Sequence, residues 1–344
     1  MSQAGEFAGR LAWIGVDWGS SNLRAWAMAG DGRVLASTHR DKGMLSLSQR
    51  DYEATLLEAI GDWLPAKGRV PVRICGMAGA RQGWREAAYL PVPTRLDDLA
   101  RGAVRPAVED PRLDVALLPG LCQTADGEGR AFDVMRGEET QLAGLVATRP
   151  ALSGLACLPG THAKWARLEV GAVTRFTTVM TGELYGLLAG QSVLRHSLAH
   201  GQGEDDLAEP GCREAFVRAV REIHRTPAAY TAMLFGLRAQ DLLDPGLPRG
   251  EARGARLAAR LSGLTIGLEL AGLGDELGDE LGDANRDAPA TATAITLVGN
   301  PALCARYALA LDALGHASRV VDGEAAVIAG LRLAHATLEG ADGA

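Results

Sequence analysis

Two short apolar runs, residues 11–16 and 23–28, are separated by Asp17-Trp18-Gly19-Ser20-Ser21-Asn22. That pattern predicts strand, tight turn, strand. Asp31-Gly32, a dipeptide favoured in two-residue hairpin turns, introduces a third apolar segment at 33–37, so three antiparallel strands are expected to open the chain. Tyr52, Leu56, Leu57, Ile60 and Trp63 then recur at helical spacing and stop before Pro65. Apolar runs at 70–75 and 115–118 read as buried strands. The first leads into Gly76-Met77-Ala78-Gly79-Ala80-Arg81-Gln82-Gly83-Trp84, and a glycine-rich loop after a strand is where α/β proteins place ligands. Leu142, Leu145 and Val146 mark one face of a helix opened by Gly137-Glu138-Glu139-Thr140-Gln141.

The opening series then recurs. Residues 155–158 predict a strand, Pro159-Gly160-Thr161-His162-Ala163-Lys164-Trp165 a turn, and 166–170 and 173–180 two more strands. The repeat is one of organisation, without sequence identity, and points to two domains, at 11–150 and 151–340, with their turns facing across a cleft. Thr181 reads as the N-cap of a further helix, with Glu183 in support. Residues 195–250 read as a helical insertion, and Leu257, Leu261, Leu264 and Leu268 as a core-facing helical stripe. A strand at 294–298 ends in Gly299-Asn300-Pro301, followed by a helix carrying Leu303, Tyr307 and Leu311. A short strand at 319–321 precedes a final helix with Val327, Ile328, Leu331 and Leu338.

Composition narrows the function classes. The chain has 344 residues, 47% hydrophobic and 22% charged, enough for two cores. Cys75, Cys122, Cys157, Cys212 and Cys304 are scattered, odd in number and never in C-x-x-C spacing. That argues against a disulfide framework or a zinc cluster and for a reducing cytoplasm. No signal-peptide pattern opens the chain, and no uninterrupted apolar run approaches the ~18 residues of a membrane span. A formal charge of −7 offers no basic field for nucleic acid, so an anionic substrate needs a local cluster of cations. His39-Arg40-Asp41 mimics a protein-kinase catalytic loop but lacks the following Asn and a D-F-G, and no G-x-x-x-x-G-K-[ST] is present. His196, His200 and His224 lack metal-ligand spacing, and the acidic tandem at 274–283 reads as a solvated loop.

The chemistry sits in the turns. At the tip of the first hairpin, Gly19 lets a backbone approach an anion, Ser20, Ser21 and Asn22 can donate to oxygens, and Asp17 can hold a hydrated Mg²⁺. A plain Gly/Ser turn fits the same residues. Glu138 and Glu139 suit a helix start by the macrodipole alone, yet Arg136 and Gly137 beside them are unusual company for a capping pair. Gly299-Asn300, between a strand and a helix N-terminus, suits the adenosine end of a nucleotide.

In order along residues 11–338, five motifs resemble those of the 2-dehydro-3-deoxygalactonokinase family. They are Asp17-Trp18-Gly19-Ser20-Ser21-Asn22-Leu23-Arg24, Gly76-Met77-Ala78-Gly79, Met135-Arg136-Gly137-Glu138-Glu139-Thr140-Gln141, Leu158-Pro159-Gly160-Thr161-His162-Ala163-Lys164-Trp165 and Met180-Thr181-Gly182-Glu183. The resemblance implies an α/β fold of two ribonuclease H-like domains, of the actin/hexokinase/Hsp70 type, around a cleft for Mg·ATP. It implies a first phosphate turn at Asp17 to Asn22, a second at Gly160, Thr161 and His162 with Lys164 beside it, and an adenosine turn at Gly299 and Asn300. The implied reaction is ATP-dependent phosphorylation of the 6-hydroxyl of 2-dehydro-3-deoxy-D-galactonate. Glu138 and Glu139 occupy the place of the base, and their spacing does not choose between them. Arg24, Arg81, Arg136 and Lys164 are the local cations for the substrate carboxylate, with Gly79 and Glu183 expected at the same site. The expected cofactors are ATP and Mg²⁺, and the expected partner is a small sugar acid, with neither nucleic acid nor membrane and with a homodimer left open. A phosphohydrolase on the same fold, a kinase of a related 2-keto-3-deoxy acid and a sugar-responsive regulator are the competing readings.

Overall fold

In the computed structural model, which describes residues 9–125, 131–198, 206–276 and 294–342, the three opening strands form as the alternation requires. They are β1 (Leu11–Trp18), β2 (Leu23–Ala29) and β3 (Val34–Arg40), each antiparallel to the one before. Next come α1 (Tyr52–Ile60), β4 (Val70–Gly76), the short β5 (Tyr89–Pro91) and β6 (Thr94–Arg95), and β7 (Leu113–Leu117). β4 and β7 run parallel to β1, which gives the order β3-β2-β1-β4-β7. The sheet's central strands β1, β2 and β4 are buried on both faces. One face packs Ile14, Val16, Trp18 and Ile74 against Tyr52, Leu56 and Ile60 of α1. The hydrogen-bonded loop after β4, with Ala80 N donating to Met77 O and Trp84 N to Ala78 O, is a built turn.

β8 (Gly120–Gln123) and β9 (Asp133–Met135) make a small sheet with β5 and lead to α2 (Glu138–Thr148). The sequence pattern did not reveal β5, β6, β8 or β9, because strands of two to four residues carry no periodicity to read.

The second series is β10 (Gly154–Leu158), β11 (Ala163–Glu169) and β12 (Ala172–Val179). β11 starts three residues earlier than the apolar run predicts, so Lys164 and Trp165 lie in a strand. Among the described residues the helices α3 (Thr181–Gln191), α4 (Arg195–Leu198), α5 (Pro210–Arg225), α6 (Tyr230–Leu243) and α7 (Glu251–Glu276) follow. The chain ends with β13 (Ile295–Gly299), α8 (Pro301–Ala313), β14 (Ser318–Asp322) and α9 (Gly323–Asp342). The order β14-β13-β10-β11-β12 mirrors that of the first sheet, with β13 and β14 parallel to β10 as β4 and β7 are to β1. The expected ribonuclease H-like arrangement is therefore present twice. His200, and the acidic tandem beyond Glu276, lie outside the described residues.

Two compact units result. The first comprises the chain up to Ser153, Leu168–Phe176 and the segment from Gly323; the second comprises Gly154–Arg167 and Thr177–Asp322. The linear division expected from sequence thus misses α9. This helix packs on α2 where both backbones are bare: a Cβ on Gly144 would stand 1.8 Å from Ala326 O, and one on Gly330 1.9 Å from Thr140 O. Its Val327 and Leu331 also cover Trp13, Trp26 and Cys75 on the second face of the first sheet.

Within the second unit, α5 lies against α7 through Gly263 and Gly267, where a Cβ would meet Phe216 O at 2.4 Å and Ile223 Cγ2 at 2.5 Å. By length and composition α7 could span a bilayer, which a search for uninterrupted runs overlooks, but 72% of the qualifying window is buried inside the protein. Core packing accounts for its hydrophobicity.

Candidate active site

The penultimate residue of β1 is Asp17, whose sheet neighbours are Arg24 on β2 and Cys75 on β4. Arg24 Nη2 donates to Asp17 Oδ2 at 2.6 Å, and Arg24 Nη1 lies 3.6 Å from Glu324 at the start of α9. Trp26 Nε1 donates to the same Glu324 at 3.4 Å. Arg24, one of the cations expected for the substrate, is therefore engaged in orienting Asp17. Asp17 Oδ1 faces the Cys75 thiol at 3.8 Å; burial, and then the Asp17 charge, push that thiol well above its usual range, so it stays protonated.

The hairpin tip is closed by Gly19 N donating to Asn22 O at 2.8 Å. Met44 N and Leu45 N donate to Gly19 O and Ser20 O, and Gly43 makes this possible, since a Cβ there would lie 2.3 Å from the Ser20 carbonyl. One side of the turn is thus tied down, while Ser20, Ser21 and Asn22 are exposed.

The backbone beside Asp17 is bare. Gly76 has φ +88°, and a Cβ on it would lie 2.6 Å from Trp18 O and 3.4 Å from Asp17 Oδ1. Gly137 has φ +106°, and a Cβ on it would come within 3.5 Å of Gly76 Cα. Both positions favour glycine on conformational grounds, and together they leave a cradle that side chains would fill.

Gly137 precedes α2, where both carboxylates fold back onto the helix start. Glu138 Oε2 accepts from Arg136 N at 3.1 Å, and Glu139 Oε2 accepts from Gly137 N at 2.6 Å. Their surroundings differ. Glu139 is fully buried, with its Oε1 bonded to the Thr140 hydroxyl at 3.1 Å, whereas Glu138 is half-buried. Burial, and then the Glu138 charge, push the Glu139 carboxyl up to about 8.

Arg136 is buried. Its guanidinium lies 4.2 Å over the Tyr89 ring, and Nη2 donates to Ala87 O at 2.7 Å. Nη1 has no hydrogen-bond partner and lies under Gly79, where a Cβ would be 2.8 Å away. Arg81, by contrast, is exposed and paired with Glu86 at 3.4 Å.

In the second unit the turn at Gly160, Thr161 and His162 is joined to the start of α3. A Cβ on Gly182 would lie 2.4 Å from Gly160 O, Glu183 N donates to Thr161 O at 2.9 Å, and Glu183 Oε2 meets His162 Nε2 at 2.5 Å. Glu183, expected with the sugar acid, thus adjoins the second turn. Thr181 does not cap the helix: Met180 holds that position, and the buried Thr181 bonds Glu269 of α7. Lys164 is buried in β11, with Nζ donating to His162 O at 3.4 Å. Gly299, at φ +150°, lies close to Pro159, since a Cβ on it would be 3.6 Å from Pro159 O. Asn300 caps α8, its Oδ1 accepting from Ala302 N at 2.9 Å and Leu303 N at 3.1 Å.

Glu324, Tyr89, Gly43 and Glu269 escaped the sequence reading. For Glu269 a signal existed, since it is a lone carboxylate in the apolar stretch 264–273. Glu324 and Tyr89 act across long sequence separations that no local pattern encodes.

Among the described residues no group of three or more His, Cys, Asp and Glu side chains is placed to hold a metal ion. A single carboxylate beside an open glycine cradle nonetheless fits Mg²⁺, which commonly takes one or two protein carboxylates and fills its shell with phosphate oxygens and water.

A family model for 2-keto-3-deoxy-galactonokinase matches residues 17–334. A protein of Rhizobium meliloti (strain 1021) named "Probable 2-dehydro-3-deoxygalactonokinase" is 40% identical over 334 residues, 97% of this chain and 98% of that one. The 2-dehydro-3-deoxygalactonokinase of Escherichia coli (strain K12) is 37% identical, over 94% of this chain and 98% of its own. A crystal structure from Sinorhizobium meliloti under the same kinase designation superposes with a TM-score of 0.78 at 36% identity, covering 95% of this chain and 99% of that chain.

Proposed function

This chain belongs to the 2-keto-3-deoxy-galactonokinase family, and we propose that it transfers the γ-phosphoryl group of ATP to the 6-hydroxyl of 2-dehydro-3-deoxy-D-galactonate. The observation that carries the site assignment is Asp17, held by Arg24 near the end of β1 beside the bare backbone of Gly76 and Gly137. Phosphoryl transfer asks a protein mainly to align donor and acceptor and to offset charge on the transferring group. In this reading Asp17, oriented by Arg24, would hold Mg²⁺, and the tip at Gly19, Ser20, Ser21 and Asn22 would donate to phosphate oxygens. Bound there, Mg²⁺ would neutralise charge on the phosphoryl oxygens. Gly160, Thr161 and His162 form the second phosphate turn, and Gly299 leaves room for the adenosine.

The acceptor hydroxyl needs a base, worth about 10²–10⁴ in rate. We assign that role to Glu138. A base must reach its substrate, and Glu139 is fully buried with both oxygens engaged, so it holds the Gly137 backbone in place. For the substrate carboxylate we assign Arg136. Arg24 is committed to Asp17 and Arg81 to Glu86, whereas Arg136 Nη1 is buried without a hydrogen-bond partner beside Gly79, and the loop there must shift to admit an anion. The five free cysteines suit a reducing cytoplasm, where we place the protein.

The test is ADP release, followed by a coupled assay, over a panel of 2-keto-3-deoxy sugar acids with water as the only acceptor in the control. Release that depends on the galactonate-derived acid is expected. Equal release with and without an acceptor would show a phosphohydrolase instead.

A further inference from the structure

Glu269 is 4% exposed in the middle of α7, and three donors converge on it. Trp165 Nε1 donates to Oε1 at 2.6 Å, Tyr307 OH donates to Oε2 at 2.8 Å, and the Thr181 side chain makes a third hydrogen bond. Nothing in the phosphoryl-transfer scheme uses this carboxylate. A buried carboxylate is costly unless its lone pairs are satisfied, and an apolar residue at this point of a core helix would avoid that cost altogether.

What the three donors have in common is their place in the chain. Trp165 lies in β11, three residues after His162 of the second turn. Thr181 opens α3, whose next residues pack on that turn: Gly182 against Gly160 O, and Glu183 against Thr161 O and His162 Nε2. Tyr307 lies on α8, the helix that Asn300 caps directly after Gly299. Thus one carboxylate is bonded to three elements that adjoin the second phosphate turn and the adenosine turn.

We propose that Glu269 is a positioning residue for the nucleotide: it fixes β11, α3 and α8 in one register, so that the second phosphate turn and the adenosine turn are set before ATP arrives. The inference rests on assigning those two turns to ATP. It also moves Glu183 from the sugar acid to the nucleotide, as the residue that orients His162.

The test measures KM for ATP, KM for the sugar acid, kcat and Tm for Glu269→Gln, with binding of a non-hydrolysable ATP analogue followed by titration calorimetry. Gln keeps the shape but replaces one acceptor by a donor, which faces either Trp165 Nε1–H or the Tyr307 hydroxyl. The KM for ATP should rise about tenfold or more, with weaker analogue binding, while the KM for the sugar acid stays within about twofold. Tyr307→Phe, which deletes a single donor, should shift the ATP constants in the same direction by a smaller factor, and it keeps the test open if Glu269→Gln does not fold. A lowered Tm with unchanged ATP constants in the folded variants would reduce Glu269 to a core residue and overturn the proposal, as would an equal rise in both KM values. Thr161→Ala separates the two layers of the argument. If it raises the KM for ATP and the Glu269 and Tyr307 variants do not, only the positioning role fails. If it leaves ATP binding untouched, the phosphate assignment of the turn fails and the positioning role falls with it.

Discussion

Asp17, Glu138 and Glu139 are three carboxylates in one unit with three different surroundings, and their substitutions should separate accordingly. Asp17→Asn keeps the shape but removes the charge, and kcat is expected to fall about 10²–10³-fold, the scale of losing one charge-stabilising group at a transition state. A near wild-type rate, measured across a Mg²⁺ titration, would take Asp17 out of the metal site. Glu138→Gln should lower kcat by about 10²–10⁴ with little change in stability, as removal of a base requires. Glu139→Gln should act on stability and its pH dependence. In the unfolded chain this carboxyl titrates at its ordinary 4.5, and in the folded protein burial and then the Glu138 charge raise it to about 8. Between those values the folded state holds the extra proton. Its contribution is therefore full below about pH 4.5, declines as pH rises and is lost as pH passes about 8. Tm of the wild type minus Tm of Glu139→Gln should fall steadily across that window, and a flat difference would exclude the raised titration. All three carboxylates could be picked out in the sequence as candidates for the site. Their division of labour could not, because burial is a property of the packed helix start, and the spacing of Glu138 and Glu139 is the same whichever one is covered.

At the scale of elements, the strand–turn–strand series was legible twice over, since alternation and glycine turns are local signals that survive without tertiary context. The crossing of α2 and α9 was not. It depends on Gly144 and Gly330, and a glycine inside a helical pattern reads as a mild weakness until the partner helix is known. Gly144→Ala, which raises helix propensity, is nevertheless expected to destabilise the protein, because its methyl group would stand 1.8 Å from Ala326 O and force the helices apart. The cost should be at least about 1–3 kcal/mol, the usual range for overpacking, against less than about 1 kcal/mol of propensity gained. Denaturant titration decides between the two terms; a stabilised Gly144→Ala variant would mean that the helices do not cross there. The same logic limited the reading of Arg24 and Lys164. Cations near a turn look alike in sequence, but one is spent on Asp17 and the other is buried in a strand.

At the scale of the whole molecule, the first unit is discontinuous, and this has a consequence that a linear reading of the chain would not foresee. α9 covers Trp13, Trp26 and Cys75 with Val327, Leu331 and Ala334, and His335 stacks on Trp13 at 4.6 Å. Arg73, fully buried in β4, is bonded to Glu339 of α9 at 2.8 Å as well as to Asp114 at 3.2 Å. Removing the helix would uncover one face of the first sheet and strip the buried Arg73 guanidinium of one of its two carboxylates. A fragment ending at Ser153 should therefore fail to fold, although it contains every strand of the first sheet and all the residues assigned to metal and sugar acid. Glu324 adds a functional side to the same helix start, because it lies 3.6 Å from the guanidinium that orients Asp17. Adding a peptide of residues 323–342 to the fragment in trans should restore protease resistance and near-ultraviolet circular dichroism. Resistance of the fragment alone would show that the first sheet stands without its distant helix, and that the boundary read from the sequence was the physical one.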